Sequence, residues 1–111
     1  MPQLEIIVRT TFIALHCWPD AISEVDYLKH PHRHTFHVEA IAPVTHENRD
    51  VEFILLKQRV DRWIAAQIDN KFDGRTHNWS CERWAREIAE AFGFKQVSVF
   101  EDNENGARYT A

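Results

Sequence analysis

The sequence contains little glycine, few cysteines and no long apolar run. Only 3 of its 111 residues are glycine, so turns that need a positive φ are restricted to a few places. The two cysteines, Cys17 and Cys81, are too few for a disulfide framework and fit a reducing compartment. No apolar run approaches the roughly 20 residues that cross a bilayer, and the first residues lack the layout of a signal peptide. These absences predict a cytoplasmic protein.

The sequence also lacks a surplus of basic residues. Its 13 Lys and Arg are outnumbered by 17 Asp and Glu, which gives a formal net charge of -4. Because binding to a nucleic-acid backbone normally needs a basic face, this balance predicts no nucleic-acid partner, and the missing apolar run predicts no membrane partner. A chain of this length makes one domain, predicted over residues 1–111, whose partner is a small molecule or another protein.

What the sequence does contain is apolar periodicity of two kinds. Alternating apolar residues predict strands, and apolar residues at spacings of three and four predict helices. The predicted strands are 4–15 with its face continuing to His16, about 33–43, 95–101 and 107–110, and the predicted helices are 51–68 and 80–92. An acidic connection over 19–31 and a break over 71–78 are predicted to be irregular. The order ββααββ predicts an α+β fold, a four-stranded antiparallel sheet with two helices on one face.

Histidines are concentrated in the stretch HPHRHTFHVEA, which holds His30, His32, His34 and His37. On a strand, His32 and His34 project to the same side, whereas His37 projects to the other. If the first two strands form a hairpin, His16 meets this pair near its base. Three neutral imidazoles at one point suit Zn²⁺ and leave a fourth position open for water or substrate. The alternative, a solvated histidine-rich loop, stays open at this point.

Five motifs carry a resemblance that covers almost the whole chain. FIALH and, after fifteen residues, HRHTFHVEA resemble the pattern F-x-A-A-H … H-G-H-[SN]-[YF]-x-V-x-V. VEFILLK, AQIDN, WSCERWAREI and VSVFED resemble V-D-F-x-x-L-K, L-D-H, P-T-x-E-x-x-A-x-x-I and V-x-V-x-E-[TS], in that order. These patterns belong to the 6-pyruvoyl-tetrahydropterin synthase and 6-carboxy-tetrahydropterin synthase family, which the sequence therefore resembles.

The resemblance implies a fold, an assembly and a site. It implies the tunnelling fold, in which the sheets of several subunits close into a barrel, and hence self-association into a trimer or hexamer. It makes His16, His32 and His34 the zinc ligands and Glu101 the residue that binds the substrate. A pterin's amino edge presents two N–H donors side by side, which one carboxylate accepts together. The alternative for Glu101 is a solvated carboxylate in a turn.

The sequence departs from the family where the family's proton relay would stand. No cysteine precedes HRH in the window DYLKHP, Asn70 replaces the histidine of L-D-H, and Arg33 replaces the glycine between the zinc ligands. The candidate catalytic residues are therefore Asp69, His77 and Cys81. Cys81 begins the second predicted helix, where the helix dipole is expected to lower its pKa. The alternative for Cys81 is a small buried apolar residue.

Two functions are consistent with these residues. The first is a zinc-dependent carbon–oxygen lyase that acts on dihydroneopterin triphosphate or on a related pterin or purine-derived ligand, as in tetrahydropterin or queuosine biosynthesis. The second is a diverged module that keeps zinc and the carboxylate but binds its ligand without turnover. Since general acid–base catalysis contributes about 10²- to 10⁴-fold, loss of the relay predicts slow turnover of the usual triphosphate.

Overall fold

The computed structural model describes residues 2–111, so Met1 of the predicted domain lies outside the described residues. The strands are β1 (Leu4–His16), β2 (His32–Val44), β3 (Thr76–His77), β4 (Gln96–Glu101) and β5 (Gly106–Thr110). The helices are a 3₁₀ helix over Ser23–Lys29, α1 (Phe53–Lys71) and α2 (Cys81–Phe92). The two predicted α-helices and the four longer strands are therefore present, within a few residues of their predicted bounds.

A long hairpin of β1 and β2 forms the centre of the sheet. The strands pair antiparallel from Leu4 opposite Val44 to His16 opposite His32. Because side chains alternate along a strand, even-numbered residues point into the core, where Phe36 is fully buried. Odd-numbered residues point away from the helices, and Ile7 remains 51% exposed. The alternation that predicted these strands therefore also determines which face carries the histidines.

The sheet has five strands in the order β3-β1-β2-β4-β5. All neighbouring pairs are antiparallel except β1 and β3, which pair in parallel through Leu15 with Thr76 and His16 with His77. The prediction of a four-stranded antiparallel tunnelling fold in the order ββααββ is therefore wrong. The structure is an α+β arrangement of five mixed strands in a curled sheet with three helices. The error has a physical reason: two residues cannot show a periodic pattern, and only their contact with β1 makes them a strand.

Both α-helices bury one stripe against the same face of the sheet. Helix α1 buries Leu56, Val60, Ile64 and Ile68, as the spacing predicts. Helix α2 buries Trp84 completely. Its start is capped by Ser80, whose side chain accepts a hydrogen bond from the backbone N–H of Arg83. Its end is at Gly93, which has a φ of 72° as predicted for a residue that terminates a helix.

Across the described residues 2–111, no helix is long and apolar enough to cross a membrane.

Candidate metal centre

Three histidines come together at the end of the β1–β2 hairpin where residues 17–31 connect the two strands. His16 lies directly opposite His32 in the strand register, and His34 lies one inward-facing position further along β2. The ring centroid of His32 is 4.7 Å from that of His16 and 4.8 Å from that of His34, and the His16 and His34 centroids are 5.9 Å apart. The predicted convergence of these side chains is confirmed, whereas zinc binding by them stays a prediction.

Two of the rings are oriented by hydrogen bonds at their Nδ1 atoms. His32 Nδ1 lies 2.8 Å from the carbonyl oxygen of His30, and His34 Nδ1 lies 2.5 Å from Asp102 Oδ2. A carbonyl or carboxylate oxygen only accepts, so both Nδ1 atoms are assigned the proton, and each neutral ring keeps a lone pair on Nε2. His32 Nε2 is buried without a hydrogen-bond partner. Such a pair of oriented rings is typical of metal-ligating histidines.

The turn after β4 positions Asp102 to accept a hydrogen bond from the His34 ring. Asp102 and Asn103 have φ values of 52° and 58°, a left-handed conformation that Asp and Asn tolerate better than most residues. The turn lets the backbone N–H of Thr35 donate to Asp102 Oδ1 at 3.0 Å while Oδ2 meets His34. The Thr35 N–H, and then the His34 ring, lower the pKa of Asp102. Asp102 was missed in the sequence, where its only signal was its position directly after Glu101.

The residues fit zinc by the chemistry and the direction of their donor atoms. Glu101 Oε1 is 3.6 Å from His16 Nε2, and Glu101 Oε2 is 3.7 Å from His34 Nε2. Tetrahedral zinc with bonds of roughly 2.0–2.1 Å holds its donors about 3.3 Å apart, so these donors stand a few tenths of an ångström too wide. Among residues 2–111, no group of three or more His, Cys, Asp or Glu side chains is placed to hold a metal ion as it stands. Zinc binding would therefore require these side chains to move closer together.

A cavity of about 650 Å³ opens beside the histidines. Its lining includes His16 and Glu101, the start of α2 at Ser80 and Cys81, and the apolar side chains of Trp18, Leu28 and Trp79. Volumes of roughly 300–1,000 Å³ with apolar walls and a few polar groups are typical of small-molecule sites. One predicted zinc ligand, His16, and the predicted substrate-binding carboxylate of Glu101 therefore border one cavity.

Cys81 faces Glu101 within this cavity, and its Sγ lies 3.9 Å from Glu101 Oε1. Burial, followed by the nearby carboxylates of Glu101 and Glu82, raises the pKa of the Cys81 thiol to about 12. The expectation that the helix dipole lowers this pKa is therefore wrong, because burial and two negative charges outweigh the dipole. At neutral pH the thiol stays protonated and can donate to Glu101.

His77 is a fourth histidine beside the cluster. Its ring centroid lies 5.3 Å from that of His16, because β3 places the two residues side by side. Only 1% of His77 is exposed, and its Nδ1 accepts a hydrogen bond from Trp84 Nε1 at 3.4 Å. Burial, and then the His16 charge, lower the pKa of His77 to about 4. His77 is therefore neutral at physiological pH.

The remaining predicted catalytic residue lies elsewhere. Asp69 is exposed near the end of α1 and is not among the residues that line the cavity beside His16. The structure thus brings His77 and Cys81 to the histidine cluster but leaves Asp69 apart from it.

Burial also lowers the pKa of His16, which favours the neutral form that a metal ligand requires.

No protein-family model and no curated protein matches this chain.

Proposed function

We propose that the protein is a zinc-dependent enzyme acting on a pterin or a related purine-derived ligand, with the carbon–oxygen lyase chemistry of the family that its motifs resemble. The observation that carries this proposal is the convergence of His16, His32 and His34 next to a cavity that His16 and the Glu101 carboxylate line. His16, His32 and His34 would hold the zinc ion. Zinc there would supply a Lewis acid for an oxygen of the ligand.

The cavity offers the contacts that a flat, hydrogen-bonding ligand needs. Trp18, Leu28 and Trp79 provide apolar walls, while the Glu101 carboxylate, about one-third exposed, provides a charged acceptor. A pterin presents its 2-amino group and its N3–H as adjacent donors, which a carboxylate binds as a charge-assisted pair. Glu101 would therefore bind and orient the ring, and the protonated Cys81 thiol would orient Glu101.

A specific observation favours the second candidate function, a module that binds its ligand without turnover. The Cys81 thiol has a pKa of about 12 and the His77 ring a pKa of about 4, so neither changes its protonation readily near pH 7. His77 is also almost fully buried. A site that keeps binding groups but lacks a poised acid or base would bind its ligand well and transform it slowly.

Titration with biopterin tests the ligand class and the role of Glu101. We expect biopterin to bind zinc-loaded wild-type protein and to bind Glu101→Ala about 10- to 100-fold more weakly, since a charge-assisted pair is lost. Glu90→Ala is the matched control, because Glu90 is exposed on α2 and does not line the cavity. Equal binding by wild type and Glu101→Ala would show that Glu101 does not bind the pterin.

The same proteins distinguish the two functions when turnover of dihydroneopterin triphosphate is assayed in parallel. Tight biopterin binding with no turnover supports the binding module, whereas turnover that depends on His32 and His34 supports the enzyme. Failure of biopterin to bind at all would contradict the proposed ligand class.

We propose a cytoplasmic protein that associates with copies of itself, as a trimer or hexamer. On the side of β1 away from β2, β3 covers only Leu15 and His16, so the described part of the chain leaves the edge over residues 4–14 open. Ile7 and Ile13 on this strand are about half exposed. An open edge with apolar side chains invites pairing with another strand, and ring closure by copies removes it.

Light scattering at micromolar concentration tests the assembly. We expect a stable trimer or hexamer for wild type, and a shift toward smaller species for Ile7→Lys, because a lysine on an edge strand opposes pairing. Ile54→Lys is a control with the same chemical change at an exposed position of α1. A wild-type protein that remains monomeric would contradict the proposed self-association.

A further inference from the structure

Glu101 contacts the histidine cluster with both of its carboxylate oxygens. One oxygen faces His16 Nε2 at 3.6 Å and the other faces His34 Nε2 at 3.7 Å. Because Glu101 is the last residue of β4 and pairs with Phe36 on β2, its side chain leaves the sheet on the same face as His34. The carboxylate therefore belongs to the cluster as well as to the cavity.

The direction of these contacts suits a cation between the His34 ring and the Glu101 carboxylate. The proton of the His34 ring is assigned to Nδ1, which donates to Asp102, so Nε2 of the neutral ring presents a lone pair to Glu101 Oε2. Two lone pairs facing each other repel, whereas a divalent cation between them accepts both. His32 Nε2 is buried and without a partner, so it could donate its lone pair to the same cation. Zinc binds imidazole nitrogens and carboxylate oxygens, so three imidazoles and one carboxylate would complete a four-coordinate set.

We propose that Glu101 is the fourth zinc ligand while the cavity holds no pterin, and that a bound pterin takes Glu101 away from zinc through its amino edge. This inference rests on the proposed function. Since one carboxylate cannot hold zinc and the paired N–H donors of a pterin in the same position, the fourth coordination position becomes free only when the ligand is bound. The protein would thereby keep the reactive position of zinc closed until its substrate arrives.

Zinc affinity without any pterin tests the ligation. In competition with a chromophoric chelator, we expect Glu101→Gln to bind zinc at least about 10-fold more weakly than wild type. Glu90→Gln, at an exposed position of α2 outside the cavity, should match wild type. Glutamine keeps the size of the side chain, so we expect the variant to fold as wild type does. Circular dichroism checks the fold of the variant. Equal zinc affinity of wild type and Glu101→Gln would overturn the ligation.

The visible spectrum of cobalt-loaded protein tests the release. We expect 6-methylpterin, which has no hydroxyl on its side chain, to change the cobalt spectrum of wild type and of Glu90→Gln. We expect 6-methyllumazine to leave it unchanged, because it keeps the ring acceptors that bind metals but lacks the 2-amino donor. A spectrum that stays constant while 6-methylpterin is bound would overturn the release. If 6-methylpterin does not bind, the proposed function and the release both fail, whereas the zinc competition still decides the ligation.

Discussion

Replacement of His32 or His34 by alanine is expected to lower the zinc content of the protein well below one ion per chain. Each change removes one of three imidazoles and leaves two imidazoles and the Glu101 carboxylate, a set that binds zinc more weakly. His34 is held by Asp102 at 2.5 Å and His32 by the His30 carbonyl at 2.8 Å, so both rings are already oriented for binding. Metal analysis of protein purified without chelators provides the measurement.

His37→Ala is the matched control for this experiment. His37 lies on the same strand as His32 and His34, but at an odd-numbered position. Its side chain therefore projects from the opposite face of the sheet. The His37→Ala protein should therefore keep its zinc. Asp102→Asn is expected to give an intermediate result, with zinc affinity about 10- to 100-fold lower, because the residue orients a ligand without being one. Stoichiometric zinc in both His32→Ala and His34→Ala would show that the cluster is not the zinc site.

Acidification is expected to destabilise the protein through His77 by up to about 3 kcal/mol between pH 6.5 and pH 4. The ring is almost fully buried and its pKa falls from 6.5 to about 4 in the folded protein. The unfolded chain therefore binds a proton first as the pH falls, which favours unfolding. The penalty is absent above pH 6.5, where both states are neutral, and is complete once the pH passes below the folded pKa.

His77→Gln isolates this contribution. Glutamine does not titrate, and its carbonyl oxygen can accept the hydrogen bond that Trp84 Nε1 now donates to His77. Urea unfolding at several pH values should show a smaller loss of stability between pH 6.5 and pH 4 for the variant. Both proteins share the contribution of His16, whose pKa is also lowered, so the difference in slope reports His77. Equal slopes would mean that the ring does not stay neutral in the folded protein.

The two experiments examine different functions of neighbouring histidines. Loss of zinc in His32→Ala or His34→Ala tests the two rings whose Nε2 atoms carry the lone pairs proposed to bind zinc. The acid dependence of stability addresses a ring that lies against His16, yet is enclosed by Trp84 and Phe36. If both outcomes are as expected, the cluster consists of three ligands and one neutral supporting residue.

The sequence by itself determined the four longer strands and the face on which the ligand candidates lie. Strand alternation is local, with a period of two, so His32 and His34 had to share one side of β2. The hairpin then placed His16 opposite His32. Helix ends are local as well, and Ser80 and Gly93 mark the start and end of α2 as the sequence indicates.

Only the tertiary structure decided the surroundings of these residues. Asp102 reaches His34 across 68 positions of sequence, and β3 becomes a strand only by pairing with the end of β1. The pKa of Cys81 rises because the fold buries the thiol against Glu101, whereas its position at a helix start suggested the reverse. Periodicity and capping depend on neighbours along the chain, but burial, charge and pairing depend on groups that the fold brings together, and no local pattern contains them.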